Sequence, residues 1–180
     1  MTETLLTSEQ FVKSITNISD NLAGKYLLPA IREAQEISLR GFLGDALLDK
    51  LKELVGTNAI KAPENEAYRR LVNECQYFLA YQTLAGLPYK LGYKLANIGV
   101  AKTSDTNVQP CSADELASVK GYYEGKADYY AKRLQQYLLR NCKQYPDLNE
   151  NDCYNIRKNL YSAATCGLWL GGARSKKTIS

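Results

Sequence analysis

Three carboxylates spaced four residues apart form the most regular cluster of potentially reactive side chains in the sequence. Asp45, Asp49 and Glu53 would share one face of a helix, where residues four apart are neighbours. Such a row can attract a cation. Calcium sites, however, take their oxygen ligands from a folded loop, and Lys50 and Lys52 lie beside these carboxylates. We therefore interpret the row as the solvent face of a helix.

The sequence contains no histidine and five cysteines, and both facts limit the available chemistry. Without histidine there are no Ser-His or Cys-His nucleophile pairs, and most metal hydrolase designs are excluded. No two cysteines have a C-x-x-C spacing, so a zinc site would need four cysteines from scattered positions. We expect free thiols in a reducing compartment, most of them small core side chains. The cysteines are Cys75, Cys111, Cys142, Cys153 and Cys166.

Motifs for other chemistries are also missing from the sequence. There is no phosphate-binding loop, dinucleotide fingerprint or nucleophile elbow, and Gly125-Lys126 lacks the spacing of a phosphate loop. We therefore expect no catalytic residues, no metal and no cofactor. The prediction is a binding or structural protein and not an enzyme.

Composition indicates one globular domain over residues 1–180. No apolar run is long enough to span a bilayer, so we expect no membrane association. The first residues, MTETLLTSEQF, lack the features of a signal peptide, and we expect a cytosolic origin. The net charge of +4 comes from 23 Lys and Arg against 19 Asp and Glu. That excess alone is too weak to define a nucleic-acid-binding protein.

Tyrosine is unusually frequent, with fourteen Tyr against three Phe and one Trp. Tyrosine combines an apolar ring with a polar hydroxyl, which suits surfaces that are buried in part or only after assembly. Tyrosines that surround the core of the domain itself would give the same composition. Composition leaves both interpretations open.

The N-terminal segment, residues 1–25, predicts one short helix. Thr7 and Gln10 have the spacing of a capping box, so the helix should begin there. Residues 17–25 (NISDNLAGK) are rich in turn formers and should end it.

A longer helix is predicted over residues 26–44, with Pro29 in its first turn, where a missing N–H costs nothing. Gly44 should end or redirect this helix. Its apolar stripe would consist of Ala30, Ala34, Ile37 and Gly41.

Two further helices and a hairpin are predicted in the middle of the chain. Residues 45–55 place Leu47, Leu48, Leu51, Leu54 and Val55 on one face. Pro63 should begin a helix that ends near Ala85, with Leu71, Val72, Cys75, Phe78, Leu79 and Gln82 at helical spacing. Alternation from about Tyr93 to Thr103 predicts an extended stretch or hairpin.

The longest helix should begin at a second capping box, Ser112 and Glu115, and end near Gln144 before Pro146. Gly121 and Gly125 form a pair of small residues that permits close helix contact. The predicted packing seam consists of Leu116, Val119, Tyr123, Ala127, Tyr130, Leu134 and Tyr137. On a neighbouring face lie Tyr122, Tyr129 and Gln136.

These elements predict a mainly α fold. We expect a small helical bundle with one long helix in the C-terminal half and an extended or hairpin insertion near residues 93–104. Residues 154–164 have helical spacing, but the sequence does not decide whether residues 150–165 form a helix or a loop.

The C-terminal stretch CGLWLGGARSKK, residues 166–177, combines an apolar patch, two glycines and a basic run. As a core strand, its apolar residues would be buried in the same subunit. As a docking arm, they would be buried in a partner, with the glycines as a joint. Composition does not decide between these two. The apolar residues are Leu168, Trp169 and Leu170, and the basic ones include Arg174, Lys176 and Lys177.

Three stretches resemble a known family. LLPAIREAQEISLRGFLGDALLDKL resembles the opening helices of head–tail connector (adaptor) proteins of tailed phages. The residues that match that pattern are Ile31, Ala34, Gln35, Leu43, Gly44, Leu47 and Leu51. YKLANIGVAKTSD and SAATCGLWLGGAR look more specifically like the adaptor-type ring proteins of crAss-like phages.

The resemblance implies a structural virion protein at the head–tail junction, or neck, assembled in the host cytoplasm. Twelve subunits would form a ring under the portal, continue the DNA channel and give the tail a platform. Implied partners are the portal protein, the tail or further ring proteins, and genomic DNA passing without sequence-specific binding. The alternative is a nucleic-acid-binding helical module, supported by the mild positive charge and the basic tail.

The resemblance also favours the docking arm for residues 166–180, because family members commonly reach the portal with a terminal segment. We expect portal or neighbour contacts from Leu168, Trp169, Leu170, Arg174, Lys176 and Lys177. Lateral contacts between subunits are expected from Tyr93, Tyr122 and Tyr129, because tyrosine suits such surfaces.

Overall fold

Helices make up most of the structure, a computed structural model that describes residues 4–96, 99–102 and 112–148. The prediction of a mainly α bundle with one long C-terminal-half helix and a hairpin is confirmed. The helices are α1 (Glu9–Ile15), α2 (Gly24–Glu33), a π-helix (Ala34–Leu39), α3 (Arg40–Gly56), 3-10 turns at Ala59–Lys61 and Pro63–Asn65, α4 (Glu66–Gly92), α5 (Ala113–Asn141) and a 3-10 turn at Cys142–Gln144. The strands are β1 (Tyr93–Ala96) and β2 (Gly99–Lys102).

Helix α1 begins one residue later than the sequence predicts. Ser8, and not Thr7, is the N-cap, and its hydroxyl accepts a 3.1 Å hydrogen bond from the backbone N–H of Phe11. Thr7 is buried, and its hydroxyl has no hydrogen-bond partner among the described residues.

Two glutamines fasten the segment before α1 to the bundle. The Gln35 carbonyl oxygen accepts from Leu6 N–H at 2.8 Å, and its amide donates to the Thr4 carbonyl at 3.1 Å. The Gln76 amide donates to the Leu6 carbonyl at 3.0 Å. Gln35 is fully buried, so these bonds satisfy a polar side chain inside the core.

The predicted apolar stripe is wrong beyond Ala34. In the π-helix each hydrogen-bonded turn holds one extra residue, and Arg40 N–H donates to the Gln35 carbonyl five residues back. This rotates the following residues around the helix axis. Ile37 is therefore 70% exposed, whereas Leu39 and Leu43 are fully buried.

Pro29 and Gly44 mark two irregular points of this helical stretch. Because α2 begins at Gly24, Pro29 lies inside the helix and not in its first turn as predicted. Gly44 has φ 72° and ψ 170°, a conformation that favours glycine, and it kinks α3. The prediction that Gly44 redirects the helix is confirmed.

Helix α4 runs through the centre of the bundle. Leu71, Cys75 and Leu79 are fully buried, as their helical spacing predicts. The helix continues to Gly92, through Gly86 and Pro88, although the sequence indicated an end near Ala85. Buried Leu87 explains the difference, because it packs in one apolar cluster with residues of α1 and α2.

The hairpin prediction is confirmed within the described residues. Strands β1 and β2 pair antiparallel, with Tyr93 opposite Lys102 and Ala96 opposite Gly99. Thr103, the last residue of the predicted hairpin, lies outside the described residues.

Helix α5 opens with the predicted capping box. Glu115 N–H donates to the Ser112 hydroxyl at 3.2 Å, and Ser112 N–H donates to the Glu115 carboxylate at 2.7 Å. The predicted seam holds only in part, because the buried side chains of α5 begin at Ala127 and Val119 is 45% exposed. The first half of α5 therefore has no fully buried face among the described residues.

The larger apolar cluster joins α3, α4 and the second half of α5. Tyr145, which follows the last 3-10 turn, is fully buried in it. This turn ends at Gln144, as Pro146 predicts. Within the described part of the chain, no helix combines the length and apolarity needed to cross a membrane.

Candidate interaction surface

Most described tyrosines pack against their own subunit. The Tyr130 ring lies between the rings of Tyr77 and Tyr81, with centroids 5.5 and 5.2 Å apart and planes within 12° of parallel. Burial raises the pKa of the Tyr130 hydroxyl, so this ring stays neutral. The interpretation that tyrosines surround the core therefore holds for these residues.

Tyr122 and Tyr129 are different, because they are 59% and 64% exposed. At 100° per residue both point about 180° away from Ala131 and Leu138, which face the core. We call this side the outward face of α5. It consists of Tyr122, Gly125, Tyr129, Lys132, Arg133, Gln136 and Arg140, all exposed.

Among the described residues, α5 is open to solvent at its two glycines. A methyl group added at Gly121 or Gly125 would meet no atom within 4 Å. The predicted small-residue pair therefore makes no close helix contact within the described chain. A partner helix could approach the α5 backbone at this point.

This face carries uncompensated positive charge. Lys132 and Arg140 are exposed, as is Lys143 just beyond the helix, and no described carboxylate pairs with them. Arg133 differs, since it donates to Glu74 of α4 at 2.8 Å, which raises the pKa of its guanidinium. The face therefore combines two exposed tyrosines with two cations, Lys132 and Arg140, with which no described carboxylate pairs.

Lys126 fixes the position of one of these tyrosines. Its ammonium lies 4.7 Å from the Tyr122 ring centroid and 5.3 Å from that of Tyr81. The contact with the Tyr122 hydroxyl raises the pKa of Lys126, so the ammonium stays charged. Cation–π attraction thus holds Tyr122 against the bundle while its outer side remains in solvent.

The carboxylate row of α3 faces solvent, as predicted. Asp45, Asp49 and Glu53 are exposed. Arg40 forms an ion pair with Asp45, and Lys50 pairs with Glu53 at 3.1 Å. We call these three carboxylates the outward face of α3. Among the described residues no cluster of three or more Cys, Asp and Glu side chains could hold a metal ion.

A groove of about 410 Å³ lies between the π-helix, the end of α4 and the start of α5. Its apolar wall includes Ile37 and part of Tyr89. Its acidic residues are paired, Glu33 with Lys90 and Glu124 with Lys120, the latter at 3.3 Å. The groove therefore offers no unpaired charge to a charged ligand.

The structure brings two predicted site residues together on one face, Tyr122 and Tyr129. Tyr93 is the first residue of β1, and its side chain lies outside the described part of the chain. The predicted arm contacts and the stretch 154–164 also lie outside it. These arm residues are Leu168, Trp169, Leu170, Arg174, Lys176 and Lys177.

Sequence reasoning missed the cations of this face. Their signal was available, because Lys132, Gln136 and Arg140 follow Tyr129 at helical spacing. It also missed the core role of Gln35. Nothing in the local pattern distinguishes a buried glutamine from an exposed one.

These features define a helical-bundle protein with a charged, tyrosine-bearing helix as its most distinctive surface. The chain belongs to a family of unknown function (DUF6712), whose family model matches residues 39–158. The match includes α3, α4 and α5. Comparison with curated proteins and with solved structures gives no match.

Proposed function

We propose that this protein is a structural subunit of a head-to-tail adaptor ring in a tailed phage virion. The ring joins the portal to the tail and continues the DNA channel. The observation that carries the proposal is the outward face of α5, where Tyr122 and Tyr129 remain exposed on a helix whose opposite side packs into the core from Ala127 onward. Exposed aromatic side chains in an open patch are typical of protein interfaces.

The residues that resemble phage connectors have a consistent role in this fold. Ile31, Leu43 and Leu47 are fully buried, and Gly44 provides the kink between them. The shared pattern therefore specifies a helix–kink–helix body. This supports similarity of fold with connector subunits, while the partner surfaces are carried by other residues.

The proposal is tested by assembly with the portal protein of the same virus. The purified chain is mixed with portal rings, and the complexes are weighed by native mass spectrometry. We expect a stoichiometric complex with many copies of this chain per portal ring. A chain that does not bind portal rings would overturn the proposal. A chain that is monomeric in isolation would not, because assembly can require the portal.

The docking arm is tested by removing residues 166–180. We expect the shortened chain to fold with an unchanged circular dichroism spectrum and to lose portal binding. If the shortened chain is unfolded, residues 166–180 belong to the core of their own subunit and the arm hypothesis is wrong.

A nucleic-acid-binding helical module is the second candidate, and the cations beside Tyr129 favour it. Alternating basic and aromatic side chains are typical of sequence-independent nucleic-acid surfaces. A salt titration of DNA binding separates the two functions, because phosphate contacts make affinity fall steeply with salt. Weak binding without that dependence would count against this candidate.

A further inference from the structure

A ring of identical subunits needs two different surfaces on each subunit that fit each other. The described residues present two exposed helix faces of opposite charge. The outward face of α5 carries Lys132 and Arg140, and the outward face of α3 carries Asp45, Asp49 and Glu53. A contact between these two faces rests on the proposed ring function, and it would identify how neighbouring subunits of the ring bind each other.

The two rows match in spacing. Asp45, Asp49 and Glu53 follow one another at intervals of four residues, and so do Lys132, Gln136 and Arg140. Each row spans nine residues, and its first and last members lie eight positions apart, or about 12 Å at 1.5 Å per residue. Two helices laid side by side can therefore set both cations opposite carboxylates, with Gln136 facing the central Asp49.

The two faces cannot meet within one subunit. Leu51 of α3 and Leu134 of α5 are fully buried in the same apolar cluster. Each outward face is on the side of its helix opposite that cluster, so the faces point away from their shared core. Among the described residues, the two faces can therefore contact each other only between copies.

We propose that the outward face of α5 binds the outward face of α3 of a second copy of this chain. Tyr129, one turn before Lys132 and Arg133, supplies the apolar area that the ion pairs need for a stable contact. The existing pairs of Asp45 and Glu53 are exposed side-chain contacts, which contribute little. Exchanging them for contacts with a second subunit costs little.

Charge reversal tests this contact. The basic-face variant is Lys132→Glu with Arg140→Glu, and the acidic-face variant is Asp45→Lys with Glu53→Lys, because Asp45 and Glu53 are the carboxylates set opposite the two cations. Sedimentation velocity at low salt, up to millimolar protein, measures self-association. We expect each variant to associate at least about tenfold more weakly than the wild type, because like charges then oppose each other.

Restoring complementarity should restore assembly. The chain with all four reversals places carboxylates on α5 and lysines on α3, and we expect it to self-associate again. An equal mixture of the two variants should do so too, because each contact then joins opposite charges. Association of the wild type should weaken with added salt.

The matched controls reverse exposed charges away from both faces. Lys61→Glu and Glu64→Lys change the net charge in the same directions and should leave association unchanged. If the controls weaken it equally, the effect is one of net charge and the proposed contact is wrong.

Two further outcomes would overturn the inference. One is a wild-type chain that stays monomeric up to millimolar concentration. This result would leave the proposed function intact, because that function is tested separately by portal binding. The other is a basic-face variant that loses DNA binding while self-association is unchanged. That result would assign the outward face of α5 to nucleic acid.

Discussion

The Tyr145 hydroxyl donates a 3.0 Å hydrogen bond to the carbonyl oxygen of Ala67 in the first turn of α4. The Tyr145 hydroxyl oxygen also lies 3.0 Å from the Tyr137 hydroxyl, which is placed to donate to it. Burial raises the pKa of Tyr145, so the hydroxyl keeps its proton and remains a donor. This one side chain fastens the segment after α5 to the beginning of α4.

Replacing Tyr145 with phenylalanine should destabilise the fold. The substitution keeps the ring but leaves the Ala67 carbonyl and the Tyr137 hydroxyl without this partner, at a cost of about 1–3 kcal/mol. Urea unfolding followed by circular dichroism measures the loss. Tyr129→Phe is the control and should change stability by less than about 0.5 kcal/mol, because Tyr129 is exposed. Equal losses for both would contradict the role of Tyr145.

Acid should weaken the junction between the π-helix and α3 through Glu36. Partial burial raises the pKa of this carboxyl, but hydrogen bonds from Lys52, Arg40 and Gln35 outweigh it and hold the pKa at about 2. The folded-state pKa is thus below the ordinary glutamate pKa of 4.5. The stabilisation is present above pH 4.5 and is lost as the pH falls through about 2.

Glu36→Gln should therefore reduce the acid sensitivity of the fold. Urea unfolding at a series of pH values between 6 and about 2 measures it. Glu53→Gln, which removes an exposed negative charge outside this network, is the control, and its profile should stay closer to that of the wild type than the Glu36→Gln profile does. A wild-type profile that is already flat below pH 4.5 would show that Glu36 is not held in its ionised form.

Two glycines of α3 should respond to alanine in opposite directions. Gly44 has φ 72°, where a side chain is strained, so Gly44→Ala should cost about 1–3 kcal/mol. Gly41 lies in a helical turn, and an added methyl group would meet no atom within 4 Å. Gly41→Ala should therefore stabilise by about 0.5–1 kcal/mol. Thermal unfolding of the two variants and the wild type measures these changes. A Gly44→Ala protein as stable as the wild type would contradict the positive φ at the kink.

The buried register of the π-helix distinguishes Ile37 from Leu39. Leu39→Ala should cost about 2–5 kcal/mol, because it empties space in the core. Ile37→Ala should change stability by less than about 0.5 kcal/mol, because Ile37 is 70% exposed. Chemical denaturation of both variants measures the difference. A larger loss of stability for Ile37→Ala than for Leu39→Ala would instead support the regular α-helical stripe that the sequence indicates.

Local patterns made much of the fold predictable. The Ser112 capping box depends only on residues three apart, and the structure forms both of its hydrogen bonds. The spacing of Leu71, Cys75 and Leu79 correctly placed them in the core. Such features are set within one or two helical turns, so a single sequence is enough to identify them.

Distant contacts account for what the sequence did not predict. The π-helix buries Gln35, whose partners Thr4 and Leu6 lie about thirty residues away. Leu87 packs on α1 and α2 and keeps α4 helical beyond Gly86, against local propensity. For the surface, tyrosine chemistry identified the exposed pair on α5. The complementary charges of the outward faces of α5 and α3 could not be recognised from the sequence, because only the packed core shows which side of each helix faces outward.

The extra residue in the π-helix has a consequence for comparison between relatives. A chain one residue shorter between Ala34 and Leu39 could close this stretch as a regular α-helix and still bury Leu39 and Leu43. A difference of one residue at this point should therefore have little effect on the stability of the core. It would change which side chain near position 37 faces the groove. The family match begins at Leu39, where this wide turn ends. Alignments of relatives that extend towards the N-terminus should therefore place single-residue gaps in this stretch. The segment before α1 should vary together with Gln35, because Gln35 forms hydrogen bonds with Thr4 and Leu6.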